Sequence, residues 1–210
     1  MLLAAATGFA TSFACATLLH LSRVVFVAVW TLVAGGFLWW YVRDQRITPG
    51  LQLRRRWLFG VIGGLFIGAL LVQGVLRQAG SPAPQGGRLA IALGWLGLVY
   101  GTVDALVLSV VPVLAIYGTR SADTLRQPTA RWRFGLAAMF ASLLVTGAYH
   151  LGFPEYRGTA LTQPLIGNAM ITAAYLMTGN PLAAIVSHVV MHGAAVLHGI
   201  DTAVQLPPHY

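Results

Sequence analysis

The feature that most constrains this chain is the length of its apolar runs. Residues 2–19, 24–42, 58–76, 89–118, 134–151, 161–178 and 182–200 contain between them a single formally charged side chain, Asp104. A stretch of about 20 apolar residues is what an α-helix needs to cross the ~30 Å hydrocarbon core of a bilayer. In that medium every backbone N–H and C=O must be paired inside the segment, which makes a helix the natural spanning form. The expected fold is therefore all-α: a polytopic transmembrane helical bundle of six or seven spans, one domain over residues 1–210. Charged residues make up 9% of the chain, against roughly 25% in soluble domains, which excludes a soluble fold. The first run opens at Met1 without a basic flank, so it reads either as a signal or anchor segment or as a first span.

The formal charge of +8 comes from thirteen arginines and no lysine, set against Asp44, Asp104, Asp123, Glu155 and Asp201. Arginine beside apolar spans is what the positive-inside bias predicts, so this basicity points to a cytoplasmic membrane face and away from nucleic acid. Arg43, Arg46, Arg54, Arg55 and Arg56 fall in one connection, and Arg120, Arg126, Arg131 and Arg133 in another. Both are expected in the cytoplasm, with the loop 80–87 and the loop 153–157 on the opposite face, the first span starting inside and the last ending outside. Trp39, Trp40, Tyr41, Trp57 and Trp132 then form an aromatic belt at the cytoplasmic interface. Arg54, Arg55 and Arg56 act as a topology anchor in contact with lipid. An inner, cytoplasmic membrane of a bacterium is the expected location, with the bilayer as the first partner. The lone Cys15 excludes an internal disulfide.

The run 89–118 would be about 45 Å long as a straight helix, well beyond the bilayer core. It must tilt, kink or protrude. Pro112 supplies the cause of a kink, and Asp104 a reason to bury the middle against other helices.

An ionisable side chain at the centre of a span costs about 2.5–3.5 kcal/mol on insertion scales, so such residues mark the first place to look for a site. Four stand out: Asp104, His150, His188 and His192. His188 and His192 are four apart and share one helix face. Counted at 1.5 Å per residue from the cytoplasmic helix ends, His188 and His192 lie about 9 and 15 Å deep, Asp104 about 21 Å and His150 about 24 Å. These depths permit the four to meet around one interior cavity. As one carboxylate and three imidazoles they suit Zn or Fe, and a single axial His suits a haem or chlorophyll-type pigment. Asn168 reads as interhelical glue, His198, Asp201 and His20 as solvated interfacial groups, and His209 as part of a tail.

Over residues 101–199 these groups sit in a wider pattern. Thr146 to His150-Leu151 resembles the second motif of the CPBP family, an aromatic followed after three residues by His. Thr178-Gly179-Asn180-Pro181-Leu182 followed by His188 and His192 resembles its third motif, His followed after three residues by Asn. This family of polytopic membrane proteins includes the CAAX prenyl endopeptidases and bacteriocin-processing proteins. The resemblance implies an intramembrane peptide-bond hydrolase acting on a membrane-embedded or lipidated substrate, in which Asp104 is the base, His150 and His188 orient the water, and His192 faces the oxyanion. The family's Glu-Glu pair followed by Arg corresponds here to Val103, Asp104 and Leu108, Thr146 replaces the aromatic, and His192 replaces Asn. One carboxylate without a guanidinium equally suits a non-catalytic member that serves as a binding or structural subunit of a membrane complex.

Overall fold

The computed structural model describes residues 1–118 and 127–207. Arg120, Asp123, Arg126 and His209, which figure in the expectations above, lie outside them. Every regular element within them is helical: α1 (Leu2–Leu18), α2 (Arg23–Asp44), the short α3 (Pro49–Arg54), α4 (Trp57–Leu76), α5 (Gly87–Tyr117), α6 (Pro128–Leu151), α7 (Thr162–Thr178) and α8 (Leu182–Gly199). Two single 3-10 turns, Pro154–Tyr156 and Thr159–Leu161, join α6 to α7. The all-helical bundle expected from the apolar runs is present.

Five of these helices, α2, α4, α5, α6 and α8, are long and apolar enough to cross a membrane, against the six or seven spans expected. Helix α1 is apolar but shorter than these five. Helix α7 has 17 residues, and Thr162, Gln163, Asn168 and Thr172 dilute its apolar character. It nevertheless runs from one end of the bundle to the other, because its exit turn meets α3 at the end opposite to α6's exit. Gly179 takes the left-handed conformation there, with φ +67°, and the buried Asn180 side chain does the rest. Its amide N–H groups donate to the carbonyls of Gln52, Leu53 and Arg55, and its oxygen accepts the Leu182 N–H at 2.8 Å. One side chain thus starts α8 and ties α3 to it.

Helix α8 is the axis of the bundle, and glycine puts it there. Gly60, Gly64 and Gly68 recur every four residues on one face of α4. A Cβ at Gly64 would stand 2.7 Å from Val186 Cβ and 2.9 Å from the Ala183 carbonyl, and one at Gly68 2.8 Å from Val190 Cβ. On the other side of α8, a Cβ at Gly101 of α5 would stand 3.1 Å from Val189 Cα. Inside a bilayer there is no hydrophobic force between helices, and close van der Waals approach at small residues of this kind is what would associate them there. The Ser187 hydroxyl uses the approach to reach the Gly64 carbonyl at 3.1 Å.

Helix α5 departs from regular α winding and carries a proline. Two π-helical stretches, Leu93–Tyr100 and Ala105–Val110, flank one α-turn, Gly101–Asp104. Such wide turns re-aim side chains and recur at functional sites. Pro112 cannot offer an N–H to the carbonyl of Leu108, four residues before it. The Ser142 hydroxyl of α6 donates to that carbonyl instead, at 2.6 Å. Ser142 also belongs to a buried ring with Ser109, Asn168 and Thr172 that joins α5, α6 and α7. Asn168 is therefore interhelical glue, and at about 0.6 kcal/mol per such bond the ring fixes register more than stability.

The remaining ends close by polar contacts. Helix α1 docks on α6 through Ser12, whose hydroxyl donates to the Tyr149 carbonyl at 2.7 Å, and Thr17, which donates to the Gly152 carbonyl at 2.6 Å. The segment after α8 folds back across the bundle end. Arg23 donates to the carbonyls of Pro207 and Ile200, Tyr156 to that of Val204, and the Val204 N–H donates to Gln78 Oε1. Trp39, Trp40, Trp57 and Trp132 are exposed near the arginine-bearing end, as a belt requires, but Tyr41 is buried.

Replacing Gly64 by Leu should therefore destabilise the protein by about 1–3 kcal/mol, the usual cost of overpacking. Thermal melting of the purified protein in detergent measures it. Gly35, with nothing within 4 Å of its Cβ position, is the control, and Gly35→Ala should melt at or slightly above the wild-type temperature. Equal losses at both positions would show that the α4–α8 approach is not what Gly64 serves.

Candidate functional site

Helices α5 and α8 run antiparallel, with Gly97 beside Gly193 and Gly101 beside Val189, and side chains one turn past the Gly101–Val189 contact on each helix lean back toward it, since every Cα–Cβ bond tilts toward its helix's N-terminus. Asp104 and His192 are brought together in this way, with Asp104 Oδ2 3.9 Å from His192 Nε2. Both are buried, at 3% and 2% exposure. The distance is too long for a hydrogen bond, and neither ring nitrogen of His192 makes one, although the Gln205 main chain runs beside the ring. His188 stands one turn earlier on α8 with its ring stacked on that of His192, centroids 5.9 Å apart.

Asp104 is held from its other side. The Trp30 indole N–H of α2 donates to Oδ1 at 2.9 Å. Trp30 stacks on Tyr149 of α6, centroids 4.9 Å apart, and the Tyr149 hydroxyl pairs with that of Tyr100 at 2.9 Å. Tyr100 in turn sets its ring edge-on to His192, centroids 4.8 Å apart. Four helices, α2, α5, α6 and α8, thus position one carboxylate and one imidazole through an aromatic cage.

The other two histidines are oriented by their own helices. His150 Nδ1 lies 2.8 Å from the Thr146 carbonyl, and His188 Nδ1 3.3 Å from that of Ala184. A carbonyl can only accept, so Nδ1 carries the proton in both rings, and a neutral ring leaves Nε2 as a lone pair. His150 also packs edge-on against Tyr156, centroids 4.9 Å apart. Burial pushes the Tyr156 hydroxyl above its usual range, which keeps it protonated as the donor to Val204.

Asp104, His150, His188 and His192 all line one cavity of ≈ 390 Å³. The structure brings together all four groups singled out in the sequence. They do not form a coordination shell: among the described residues no three His, Cys, Asp or Glu side chains are arranged to hold a metal ion. Two hydrogen bonds from Nδ1 to carbonyls turn His150 and His188 by their own backbones, each on its own helix, and His192 stands off from Asp104.

The cavity also contains residues that carry no signal in the sequence. Gln205 enters it from the segment beyond α8, and Gln73, Arg77 and Gln163 stand at its exposed mouth. Thr146, at the aromatic position of the second motif, lines it with a buried hydroxyl that has no partner. Leu108 lines it where the family pattern has Arg, whereas Val103 packs into the apolar core. Along the wall between α4 and α7 the cavity reaches Leu70 and Ile166, which are 38% and 64% exposed on the outer apolar surface. Tyr100 was legible four residues before Asp104. Trp30 was not, because only the tertiary fold sets α2 opposite α5. Of the residues read as bystanders, His198 donates from Nε2 to the Gln78 carbonyl at 2.9 Å and Asp201 is exposed.

Trp30→Phe should remove the one donor that holds Asp104 Oδ1 and destabilise the protein by about 1.5–3 kcal/mol, the range for a hydrogen bond to a charged group. A double-mutant cycle with Asp104→Leu, read by thermal melting, isolates the pair. Additive losses would mean that the indole and the carboxylate are not coupled.

No family model, no curated protein and no solved structure matches this chain.

Proposed function

We propose that this chain is a polytopic protein of a bacterial cytoplasmic membrane, with its arginine-bearing end inside, and that its cavity is an intramembrane hydrolytic site of the CPBP kind. The observation that carries this reading is the convergence of Asp104, His150, His188 and His192 on one cavity, since bare helix packing needs no set of three imidazoles and an acid. The chemistry follows from the hydrogen bonds. The lone pairs of His150 and His188 Nε2 share one hydrogen of a water and fix its attacking oxygen, with the other hydrogen turned to Asp104. Asp104, with Oδ1 held by Trp30, keeps Oδ2 free to take the proton as the water attacks a peptide carbonyl. His192 supplies an uncommitted N–H for the developing oxyanion. The apolar opening between α4 and α7 suits a substrate that arrives from lipid.

The second reading is a non-catalytic member that binds a membrane partner through the same cavity. Leu108 in place of a guanidinium and a single carboxylate favour it, because Asp104 then has neither the second acid nor the adjacent cation of the family pattern.

Cells carrying the wild-type protein, Asp104→Asn or His188→Ala separate the two when new N-termini in the membrane fraction are identified by mass spectrometry. As a hydrolase, each variant should lose roughly 10²–10⁴-fold in cleavage, the usual contribution of acid–base groups, while remaining folded. Unchanged cleavage products in both folded variants would refute the mechanism and leave the binding reading.

Sidedness is checked separately by cysteine labelling in a Cys15→Ala background. Arg54→Cys should be shielded from an impermeant reagent in intact cells and Gln85→Cys labelled by it, and the reverse pattern would invert the orientation. The second arginine loop, around Arg126, should behave like Arg54.

A further inference from the structure

Hydrogen-bond acceptors outnumber donors at the deep end of the cavity. His150 and His188 each turn a lone pair toward it, because Nδ1 in both rings is committed to a carbonyl. Asp104 Oδ2 has a histidine nitrogen at 3.9 Å, and the Tyr100 hydroxyl is the one other polar group beside this carboxylate on the cavity side. Gln205 Oε1 is buried without a partner, as are both nitrogens of His192, one of which is an acceptor in the neutral ring. The donors nearby are fewer: one N–H of His192, the Thr146 hydroxyl and the Gln205 amide. Tyr100 and Tyr156 line the same space, but Tyr100 pairs with Tyr149 and Tyr156 donates to Val204.

A buried acceptor without a donor costs about 1–3 kcal/mol. An occupant that brings several N–H donors and a positive charge toward a lone carboxylate therefore answers this lining best. A bare metal ion does not, since no three ligating groups are arranged for one. The geometry points to a primary ammonium group, R–NH₃⁺, as the ligand of this pocket, its three N–H donors shared among Asp104, the imidazole lone pairs and Gln205 Oε1. A short apolar R group lies along Leu70, Leu71 and Ile171. Arg77 at the mouth does not oppose this, because it is exposed and screened by solvent.

The ligand has a place in the proposed reaction. When water adds to a peptide carbonyl and the C–N bond breaks, the leaving nitrogen takes a proton from the water and departs as an amine, which is protonated at neutral pH. In that role, as the retained leaving-group product, the ammonium rests on the hydrolase reading; as a bound ligand it stands by itself.

The test uses the full chain in phosphatidylcholine nanodiscs, with binding followed by calorimetric titration and by thermal melting. Four probes of one chain length separate the contributions: n-butylammonium has charge and donors, n-butanol a neutral donor, n-butyltrimethylammonium charge without donors, and butyrate the opposite charge. Saturable binding of n-butylammonium alone is expected, weakened at least about tenfold in Asp104→Asn and in Gln205→Leu. If Asp104→Asn does not fold, Gln205→Leu, which alters a segment outside the helices, decides. Absence of saturable n-butylammonium binding, equal binding of the quaternary ion or the alcohol, or undiminished binding in the folded variants would overturn the inference. Ammonium binding without cleavage would retain the ligand and discard the hydrolase, and cleavage without ammonium binding would do the reverse.

Discussion

The close approach of α8 to α4 and α5 is the contact on which the rest of the structure depends. Gly60, Gly64 and Gly68 leave no side chain between α4 and α8, and Gly97 and Gly101 do the same for α5. Helix α8 carries both His188 and His192, so the depth and rotation of these rings are set by where glycine lets the backbones meet. Between helices apolar enough to cross a membrane, shape would do in lipid the work that the hydrophobic effect does in water. A bulky residue in either glycine row would move two imidazoles at once.

Polar groups then take over at the places where glycine stops. Asn180 anchors the start of α8 on α3, the ring of Ser109, Ser142, Asn168 and Thr172 locks α5 to α6 and α7, and Ser142 repairs the carbonyl that Pro112 leaves without its donor. Each of these groups is satisfied by the protein. The cavity is the contrast: His192, Thr146 and Gln205 keep buried polar atoms without partners. Buried polar atoms are paired almost everywhere in folded proteins, and of the unpaired ones among the described residues all but Thr31 Oγ1 belong to residues that line this pocket.

The π-helical winding of α5 belongs to the same logic. Tyr100, Asp104 and Leu108 are four apart and share the face of α5 that lines the cavity, and the wide turns lie on both sides of Gly101–Asp104. The carboxylate that would be costly against lipid is enclosed by Trp30, Tyr100 and His192 instead.

Much of this was legible in the chain. Long uncharged runs dictate helices because a backbone in apolar surroundings must pair with itself, and the rarity of ionisable residues in those runs makes Asp104, His150, His188 and His192 conspicuous. The Gly60, Gly64 and Gly68 spacing was equally open to reading as a packing face. The sequence could not give the length deficit of α7 as an exact boundary, since polar residues dilute a span gradually. It could not give Trp30 or Gln205 either: one is an ordinary aromatic in an apolar run, the other lies in a polar tail, and neither has a periodic relation to the site. What the sequence by itself determined was the helical class and the four ionisable groups, because both follow from local composition. Which atoms of those groups face one another, which remain unpaired, and that no metal shell forms among the described residues, only the tertiary structure decided, because these depend on contacts between helices whose registers no local pattern encodes.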